Sequence, residues 1–507
     1  MVTWGISAMS HDAALAVFDR GNLLWASHSE RYSRVKNDKD LHPEQLEEAL
    51  KFGKPHVFCF YEKPWLKKRR QFGAGQYKLL AKPSPHAMLR NMGVAVEHYE
   101  HVEHHHSHAA YGYWGQSDFQ EDCDVLVIDS IGEYETLSIW HGRNKTLKRV
   151  WSQNYPHSVG LWYSAMTQRL GLKPQEHEYI LMGMAALGDP SKYYDLLKQD
   201  FFEFIPTGHT NDFLAVTPDV VFKDNLHKGC RHWRPELTSV ADYVDIAAAV
   251  QKIYEEIFVG LLTWMRRHSN VDKIAIVGGC ALNCVANTLA FNFYEHVWIP
   301  PNPGDAGSAV GAVLAIKQSP TAMDNPYLGT DIPGEYPISG VLDDLTAHGV
   351  TAVAAGRAEF GPRALGHRSI LADPRLPDIK DRVNKIKQRE EFRPFAPMIM
   401  EEHANQYFQI PSSTYTAPFM QFAVPCLQPQ KYPGIVHVDG TSRVQTVPDD
   451  GSGPRRLLEA WYKQTGCPML LNTSLNIKGE PLVNSYDDAK RWTDTYSVKV
   501  HTPGDTA

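Results

Sequence analysis

Short apolar runs separated by polar turns open the chain. VTWGIS, AALAVFD and LLWASHS are strand-like in length and content, and SHD and RGN between them read as turns, so residues 2–29 predict three strands of a sheet. LHPEQLEEALKF follows with helical spacing of its apolar positions. A second round begins at DVLVIDSIGEYETLSIW, two predicted strands flanking an Asp-Ser-Ile-Gly turn. DYVDIAAAVQKIYEEIFVGLLTWMRRH is the clearest amphipathic helix, and DKIAIVGGCALNCVANTLAF predicts strand, glycine turn and helix. Two rounds of this kind suggest a duplicated nucleotide-binding α/β core, although no sequence repeat marks the duplication. The stretch QSPTAMDNPYLGTDIPGEYP, residues 318–337, is rich in proline, glycine and polar residues and reads as a linker. The expected organisation is a first domain over 1–317 and a second, smaller α/β domain over 338–507.

Composition narrows the function classes. The 507 residues are 43% hydrophobic and 21% charged, enough to bury large cores, and the net charge of −7 argues against a wholesale polyanion binder. Seven scattered cysteines fit thiols in a reducing cytoplasm better than a disulfide framework, and Cys280 and Cys284 read as small core residues. The start MVTWGISAMSHDAA lacks the marks of a signal peptide, and no apolar run reaches the length of a membrane span. The expectation is a cytoplasmic enzyme, a monomer or homodimer without membrane contact.

The most conspicuous chemistry lies in EHHHSHAAYGYW, which puts four histidines into five positions. His104 and His108 are four apart, so on a helix they share a face and could share an ion. A lone pair of this kind more often satisfies local hydrogen bonds. Asp129 at the end of VLVID and Asp305 in PPNPGDAGSAVGA would make the set suitable for iron, manganese or zinc, but sequence does not bring the four together. Gly278, Gly279 and Asn283 form a turn that a nucleotide could approach, or a simple packing device. Arg357, Arg363, Arg368, Lys387, Arg389 and Arg393 lie among Gly, Pro and aromatic residues, surroundings too apolar for a solvated face; an anion site is the favoured reading. YEKPWLKKRRQFGAGQYK sets Lys67 to Arg70 beside Trp65, Phe72 and Tyr77, a mix that could track phosphates and stack bases.

These motifs carry a family resemblance. SHDAALAV, ERYSRVKND, EHHHSHAA, DSIGE, GGCALNCVAN, PGDAGSAVGA, GRAEFGPRALGHRSILADPR, FRPFAP, DGTSRVQTV and LLNTSLNIKGEP occur in order, nearly end to end. In this the chain resembles the O-carbamoyltransferases of the nodulation-factor, tobramycin and cephalosporin type. The resemblance implies an actin/hexokinase-type N-terminal domain like that of tRNA threonylcarbamoyl transferases, with His104, His108, Asp129 and Asp305 holding one divalent metal, iron first, manganese or zinc as alternatives. It also implies a C-terminal domain like the threonylcarbamoyl-adenylate synthases. There Lys387, Arg389, Ser474 and Asn476, with Asn472, would bind ATP and its magnesium, and carbamoyl phosphate would become carbamoyl adenylate. Gly132, Glu133, Glu178 and Gly183 fall in the family's nucleotide-side motifs.

His11, Asp12 and Lys36 would serve proton transfer or phosphate positioning, although a His-Asp pair in a turn is equally a capping device. Two departures stand out. Asn37 replaces the family's usual histidine, and His177-Glu178-Tyr179-Ile180-Leu181-Met182-Gly183 lacks the family's lysine at position 180. The C-terminus also looks pared down. The expected acceptor is a small molecule with a hydroxyl, ahead of a hydroxymethylated base in nucleic acid. A metal- and nucleotide-binding protein without turnover, and tRNA threonylcarbamoylation, are the other readings.

Overall fold

The computed structural model describes all residues except 74, 78–83, 207–216, 324, 497 and 505–507. Ala74 and Lys78 of the basic segment and Asp324 of the presumed linker therefore lie outside the described residues. The chain divides into two compact units. Unit 1 comprises residues 1–9, 16–23 and 53–323; unit 2 comprises 10–15, 24–52 and 324–507.

Unit 1 contains the duplication that the sequence hides. The first sheet, in which residues 14–15 of β2 and 24–28 of β3 are counted with unit 2, is built from β1 (Val2–Ser7), β2 (Ala14–Asp19), β3 (Asn22–His28), β4 (Val57–Phe60) and β5 (His98–His101), in the order β3-β2-β1-β4-β5. The second is built from β6 (Cys123–Ile128), β7 (Glu135–Arg143), β8 (Thr146–Asn154), β11 (Lys273–Val277) and β12 (His296–Trp298), in the order β8-β7-β6-β11-β12. Taken in chain order within each sheet, both run third-second-first-fourth-fifth. In each, the first, fourth and fifth strands are parallel. This is the duplicated actin/hexokinase-type α/β core, with the repeat carried by topology after its sequence trace has gone. A ribbon of β9 (Phe202–Phe204) and β10 (Val221–Phe222) completes the strands described here.

Three helices of unit 1 matter for the site. The histidine helix spans His104–Trp114 and is buried over nearly its whole length. The long helix Val240–His268 starts at a capping box of Ser239 and Asp242 and buries Ile246, Val250, Ile253, Ile257 and Leu261, the helical spacing read from sequence. The small-residue helix, Ser308–Lys317, lies against the histidine helix so closely that a Cβ on Gly311 would stand 1.9 Å from the Ser107 carbonyl oxygen. Beyond β11 the expected single helix is broken. A turn at Gly279–Leu282 precedes a short helix, Cys284–Thr288, because the Asn283 side chain accepts from Ala286 N and starts the helix anew.

Unit 2 centres on a mixed sheet in the order β20-β17-β21-β16-β14-β22. Its strands are β14 (Val350–Ala354), β16 (Arg368–Ala372), β17 (Ala396–Met400), β20 (Gln445–Val447), β21 (Met469–Ser474) and β22 (Val500–His501). The presumed linker holds a strand. β13 (Tyr327–Ile332) pairs antiparallel with β15 (Gly356–Glu359), because YLGTDI has enough aromatic and β-branched content to pair despite flanking prolines. A last ribbon joins β18 (Ala423–Pro425) to β19 (Thr441–Arg443). Residues 24–52, assigned by the sequence reading to the first domain, are tied into this unit. Arg34 donates to the carbonyls of Leu482 and Pro481 at 2.6 and 2.9 Å, and Thr330 Oγ1 donates to Glu48 at 2.9 Å. All seven cysteines are free thiols, and no helix among the described residues is long and apolar enough to cross a membrane.

Candidate functional site

In unit 1 the histidine helix carries His104 and His108 on one face, their Nε2 atoms 3.2 Å apart. Asp129, just past the end of β6, brings Oδ2 to 3.0 Å from His104 Nε2. Asp305, at the turn leading into the small-residue helix, brings Oδ1 to 3.5 Å from both Nε2 atoms. All four ligand atoms lie within 4.8 Å of one another. Three residues are buried and Asp305 is half-buried. Two nitrogens each bound at about 2.1 Å to one tetrahedral or octahedral ion lie roughly 3.0–3.4 Å apart, so the spacing fits a shared metal. Electrostatics agree. Burial would depress His104, but the carboxylates of Asp305 and Asp129 outweigh it and hold its pKa up at about 9. Burial would raise Asp129, yet His104, His108 and His105 hold it far below the usual carboxylate range. Two imidazole nitrogens and two carboxylate oxygens drawn this close make a donor set that could hold a divalent metal.

The surroundings aim these ligands. The Glu133 carboxylate accepts from His104 N at 3.1 and 3.2 Å and from Lys63 N at 2.6 Å, so it caps the histidine helix from a distant strand connection. That task differs from the nucleotide contact expected of Glu133. Gly132 leaves room for the His104 ring, which a Cβ would meet at 3.0–3.1 Å. Gly279 N donates to Asp129 Oδ1 at 3.1 Å, so the glycine turn after β11 orients this carboxylate. Gly278 has φ +93°, and a Cβ there would stand 2.2 Å from the Ile128 carbonyl. Asn283, expected at a base or ribose, is occupied otherwise: besides its cap it exchanges hydrogen bonds with Gln251 at 2.9 and 3.1 Å. Glu178 heads the helix Glu178–Ala185 and accepts from Gln175 N at 2.6 Å and from Ser164 Oγ. Gly183, in the same helix, faces space: a Cβ there would meet nothing within 4 Å. Of the remaining histidines, His105 Nδ1 pairs with Ser138 Oγ at 2.8 Å, and His106 stacks on Trp140 at 5.3 Å.

In unit 2 the two halves of the second motif meet. Lys387, one residue beyond the helix Ile379–Ile386, buries its ammonium against the end of β21. Nζ donates to Ser474 Oγ at 3.2 Å, to Asn476 O and Oδ1 at 2.9 Å each, and to the Ser474 carbonyl. Burial first, then the charges of Arg389, Arg393 and Lys36, push this ammonium well below its usual range. Arg389 stacks on Phe395 at 4.3 Å and donates to Asn384 Oδ1 at 2.7 Å. Arg393 lies 3.4 Å from Glu390, and Arg363 is half-buried in the FGPRALG loop. Asn472 ties that loop to β21, donating to Ala364 O at 3.1 Å and Gln445 Oε1 at 2.8 Å.

Two cations of the expected anion site have another job. The Arg368 guanidinium is wholly buried and donates to the carbonyls of Asn484, Ala355, Gly356, His367 and Thr330. Arg357 donates to the carbonyls of Leu24, Leu328 and Gly329 and stacks on Phe52 at 5.6 Å. Both bind backbone, because irregular loops leave carbonyls that a guanidinium fork satisfies.

His11, Asp12 and Lys36 also fall in unit 2, apart in the chain's division from the metal ligands. His11 Nδ1 lies 3.2 Å from Asp12 Oδ2. Burial would raise Asp12, but His11, then His28 and Lys36, hold it below its ordinary value. Sequence reasoning passed over Arg31. Its motif, ERYSRVKND, drew attention to Lys36 and Asn37, and the structure shows that Arg31 is buried.

Comparison with known proteins places these residues. Residues 81–314 match the family model described as carbamoyltransferase N-terminus, and 342–506 the one described as carbamoyltransferase C-terminus. An uncharacterized protein of Synechocystis is 31% identical over 96% of this chain and 93% of its own. Nodulation protein NolO of Bradyrhizobium diazoefficiens is 32% identical over 76% of this chain and 75% of its own. The 3'-hydroxymethylcephem-O-carbamoyltransferase of Amycolatopsis lactamdurans is 27% identical over 98% of this chain and 97% of its own. Full-length HypF, in its phosphate- and nucleotide-bound form, covers 62% of this chain and 46% of its own at 14% identity, with a TM-score of 0.33, too loose a superposition to argue from.

Proposed function

From the premise that this chain belongs to the carbamoyltransferase family, we propose that it carries out ATP-dependent O-carbamoylation in two steps, one in each unit. The observation that carries the reading is the pairing of two finished constellations, the His104–His108–Asp129–Asp305 set and the Lys387–Ser474–Asn476 set, in one chain. In the first step, water cleaves carbamoyl phosphate to carbamate and phosphate. A carbamate oxygen then attacks the α-phosphorus of ATP and expels pyrophosphate, leaving carbamoyl adenylate. Like charges crowd together here, and Arg389, Arg393 and Lys36 around the buried Lys387 offset them with fixed charge. Nucleotide phosphates would favour the charged form of Lys387, since an anion beside an ammonium favours the proton.

In the second step an acceptor hydroxyl attacks the carbamoyl carbon, loses its proton and displaces AMP. His104, His108, Asp129 and Asp305 would hold a divalent ion, which when bound supplies positive charge for phosphate oxygens and a departing anion. Glu133 fixes the first turn of the histidine helix and Gly279 fixes Asp129, so the ligands are preorganised. His11 and Asp12, paired at 3.2 Å in unit 2, are candidates for proton transfer or phosphate positioning.

The acceptor class is a small molecule bearing a hydroxyl, the class to which the cephem named for one relative belongs. A second reading has one observation in its favour. The helix Pro64–Gly73 and the residues after it expose Trp65, Phe72 and Tyr77 by 62–63% each, beside Lys68 and Arg69, a surface that could stack bases and track phosphates. One experiment tests both. Purified protein is incubated with ATP, isotopically labelled carbamoyl phosphate and a panel of aminoglycosides, sugars, nucleosides and hydroxymethylated DNA. Pyrophosphate release dependent on carbamoyl phosphate, with label on a small-molecule hydroxyl, is the expected result. Label on DNA alone would reverse the choice of acceptor, and adenylate formation that requires threonine would overturn the reaction.

A further inference from the structure

Most guanidinium groups packed into unit 2 have their donors satisfied, by backbone carbonyls or, at Arg455, by carboxylates. Arg368 and Arg34 spend their donors on backbone carbonyls. Arg31, in the short helix Glu30–Ser33, is 3% exposed and makes one such bond, from Nη2 to Gly361 O at 2.8 Å. Its Nε and Nη1 are buried without a hydrogen-bond partner. Together these nitrogens carry three N–H bonds. Glu30 Oε1 lies 4.0 Å from Nε, too far to accept a hydrogen bond. A charged donor group shut away from water without acceptors is an expensive arrangement unless something else supplies them.

The neighbourhood suits an anion: the charge of Arg31 is felt at Arg34 and at Arg368. His28, three residues earlier, packs its ring 5.3 Å from Phe360, the residue before Gly361. Burial, then the charge of Arg31, lowers its pKa to about 4, so at neutral pH it is an uncharged wall. Lys36, five residues beyond Arg31, is felt electrostatically at both Asp12 and Lys387. The segment from His28 to Lys36 thus brings a fixed guanidinium and an ammonium to the unit that contains the Lys387 cluster. A guanidinium with free N–H bonds recognises phosphate and carboxylate oxygens with directed hydrogen bonds.

We propose that Arg31 is the receptor for a small oxyanion in unit 2, and that this oxyanion is the phosphate group of carbamoyl phosphate. The assignment rests on the two-step reading above, in which the Lys387 cluster takes the nucleotide. Carbamoyl phosphate needs a site of its own, and Arg31 has donors to spare. Arg31 binds substrate here and takes no part in proton transfer.

The test uses the full-length protein and the variants R31K and R31Q, each checked for folding by circular dichroism and thermal unfolding. Binding of inorganic phosphate is measured by calorimetry. Initial rates of pyrophosphate release are measured while carbamoyl phosphate and ATP are varied separately. Both variants should bind phosphate at least 10-fold more weakly and raise KM for carbamoyl phosphate at least 10-fold, with KM for ATP unchanged. R31K keeps the charge and loses the fork, so it covers the case in which R31Q fails to fold. Unchanged phosphate binding in the folded variants, or a wild type that binds none, would overturn the subsite. An equal rise in KM for ATP would assign Arg31 to the nucleotide and overturn the carbamoyl phosphate claim. If the wild type binds phosphate, the variants do not, and no pyrophosphate appears with carbamoyl phosphate, the subsite stands and the adenylation reading falls.

Discussion

Replacing Gly311 by alanine tests whether the closeness of two helices sets the metal site. Gly311 lies on the small-residue helix, six residues after Asp305, and an alanine Cβ would stand 1.9 Å from Ser107 O and 3.1 Å from Tyr111 Cβ. Ser107 lies between His104 and His108 on the facing helix. The small-residue helix is also hemmed in on another side, because a Cβ on Gly5 of β1 would stand 1.8 Å from Ala309 O. The two helices would have to separate by on the order of 1 Å in a core packed at crystal-like density. Metal ligation tolerates errors of about 0.2 Å, so the carboxylate of Asp305 would leave the range of the two imidazoles. Overpacking of this kind costs about 1–3 kcal/mol. That corresponds to a fall in Tm of about 2–10 °C. G311A and wild type should be compared by scanning calorimetry with and without chelator, and by metal content after dialysis. We expect a lower Tm, metal affinity reduced at least about 10-fold, and little further loss of Tm on adding chelator to the variant. A variant with unchanged Tm would refute the close approach. A variant that loses Tm but keeps its metal affinity would refute the idea that this approach sets the site.

Other expectations can be checked with the same preparations. H108A should lose metal and lower carbamoyl transfer about 100-fold or more, while pyrophosphate release with ATP and carbamoyl phosphate persists; loss of that release in a folded variant would contradict the division of labour. G183A should stabilise its helix by about 0.5–1 kcal/mol, since the added Cβ meets nothing within 4 Å, yet slow transfer if nucleotide backs onto that face; unfolding and transfer assays together separate the two effects. His28 gives the protein an acid-sensitive term. Its pKa is about 4 folded against 6.5 ordinarily, so the unfolded chain takes up a proton first. The associated stabilisation is complete above pH 6.5 and is lost as pH falls toward 4, by up to about 3 kcal/mol. H28Q should flatten urea-unfolding stability over that window, and an unchanged slope would remove His28 as the cause.

What was legible in sequence was local. The i, i+4 spacing of His104 and His108, the periodicity of Val240–His268 and the runs of β1 to β3 each depend on residues within a few turns of one another. Asp129 and Asp305 were suspected as ligands, but their approach to the imidazoles depends on the glycine turn at Gly278–Gly279 and on the fit of Gly311, neither of which leaves a periodic signal. The fate of the arginines was illegible for a different reason. A guanidinium reads alike in sequence whether it meets a phosphate or a loop carbonyl, and Arg357 and Arg368 turned out to serve carbonyls. Arg31, with no unusual neighbours in the sequence, leaves Nε and Nη1 without partners. Strand β13 was concealed by the prolines and glycines around it.

The three-part origin of unit 2 bears on how the protein is made. Residues 24–52 leave the ribosome early, yet the partners of Arg31, Arg34 and Glu48 are Gly361, Leu482, Pro481 and Thr330. All of residues 53–323 must be synthesised in between, a delay on the order of tens of seconds at ordinary elongation rates. For that interval an arm holding a buried arginine and the apolar face of the helix Pro43–Leu50 waits without its destination. A gene cut at residue 324 would therefore give a C-terminal product missing its own first pieces, and a working half-protein would have to be assembled by grafting residues 10–15 and 24–52 back onto it.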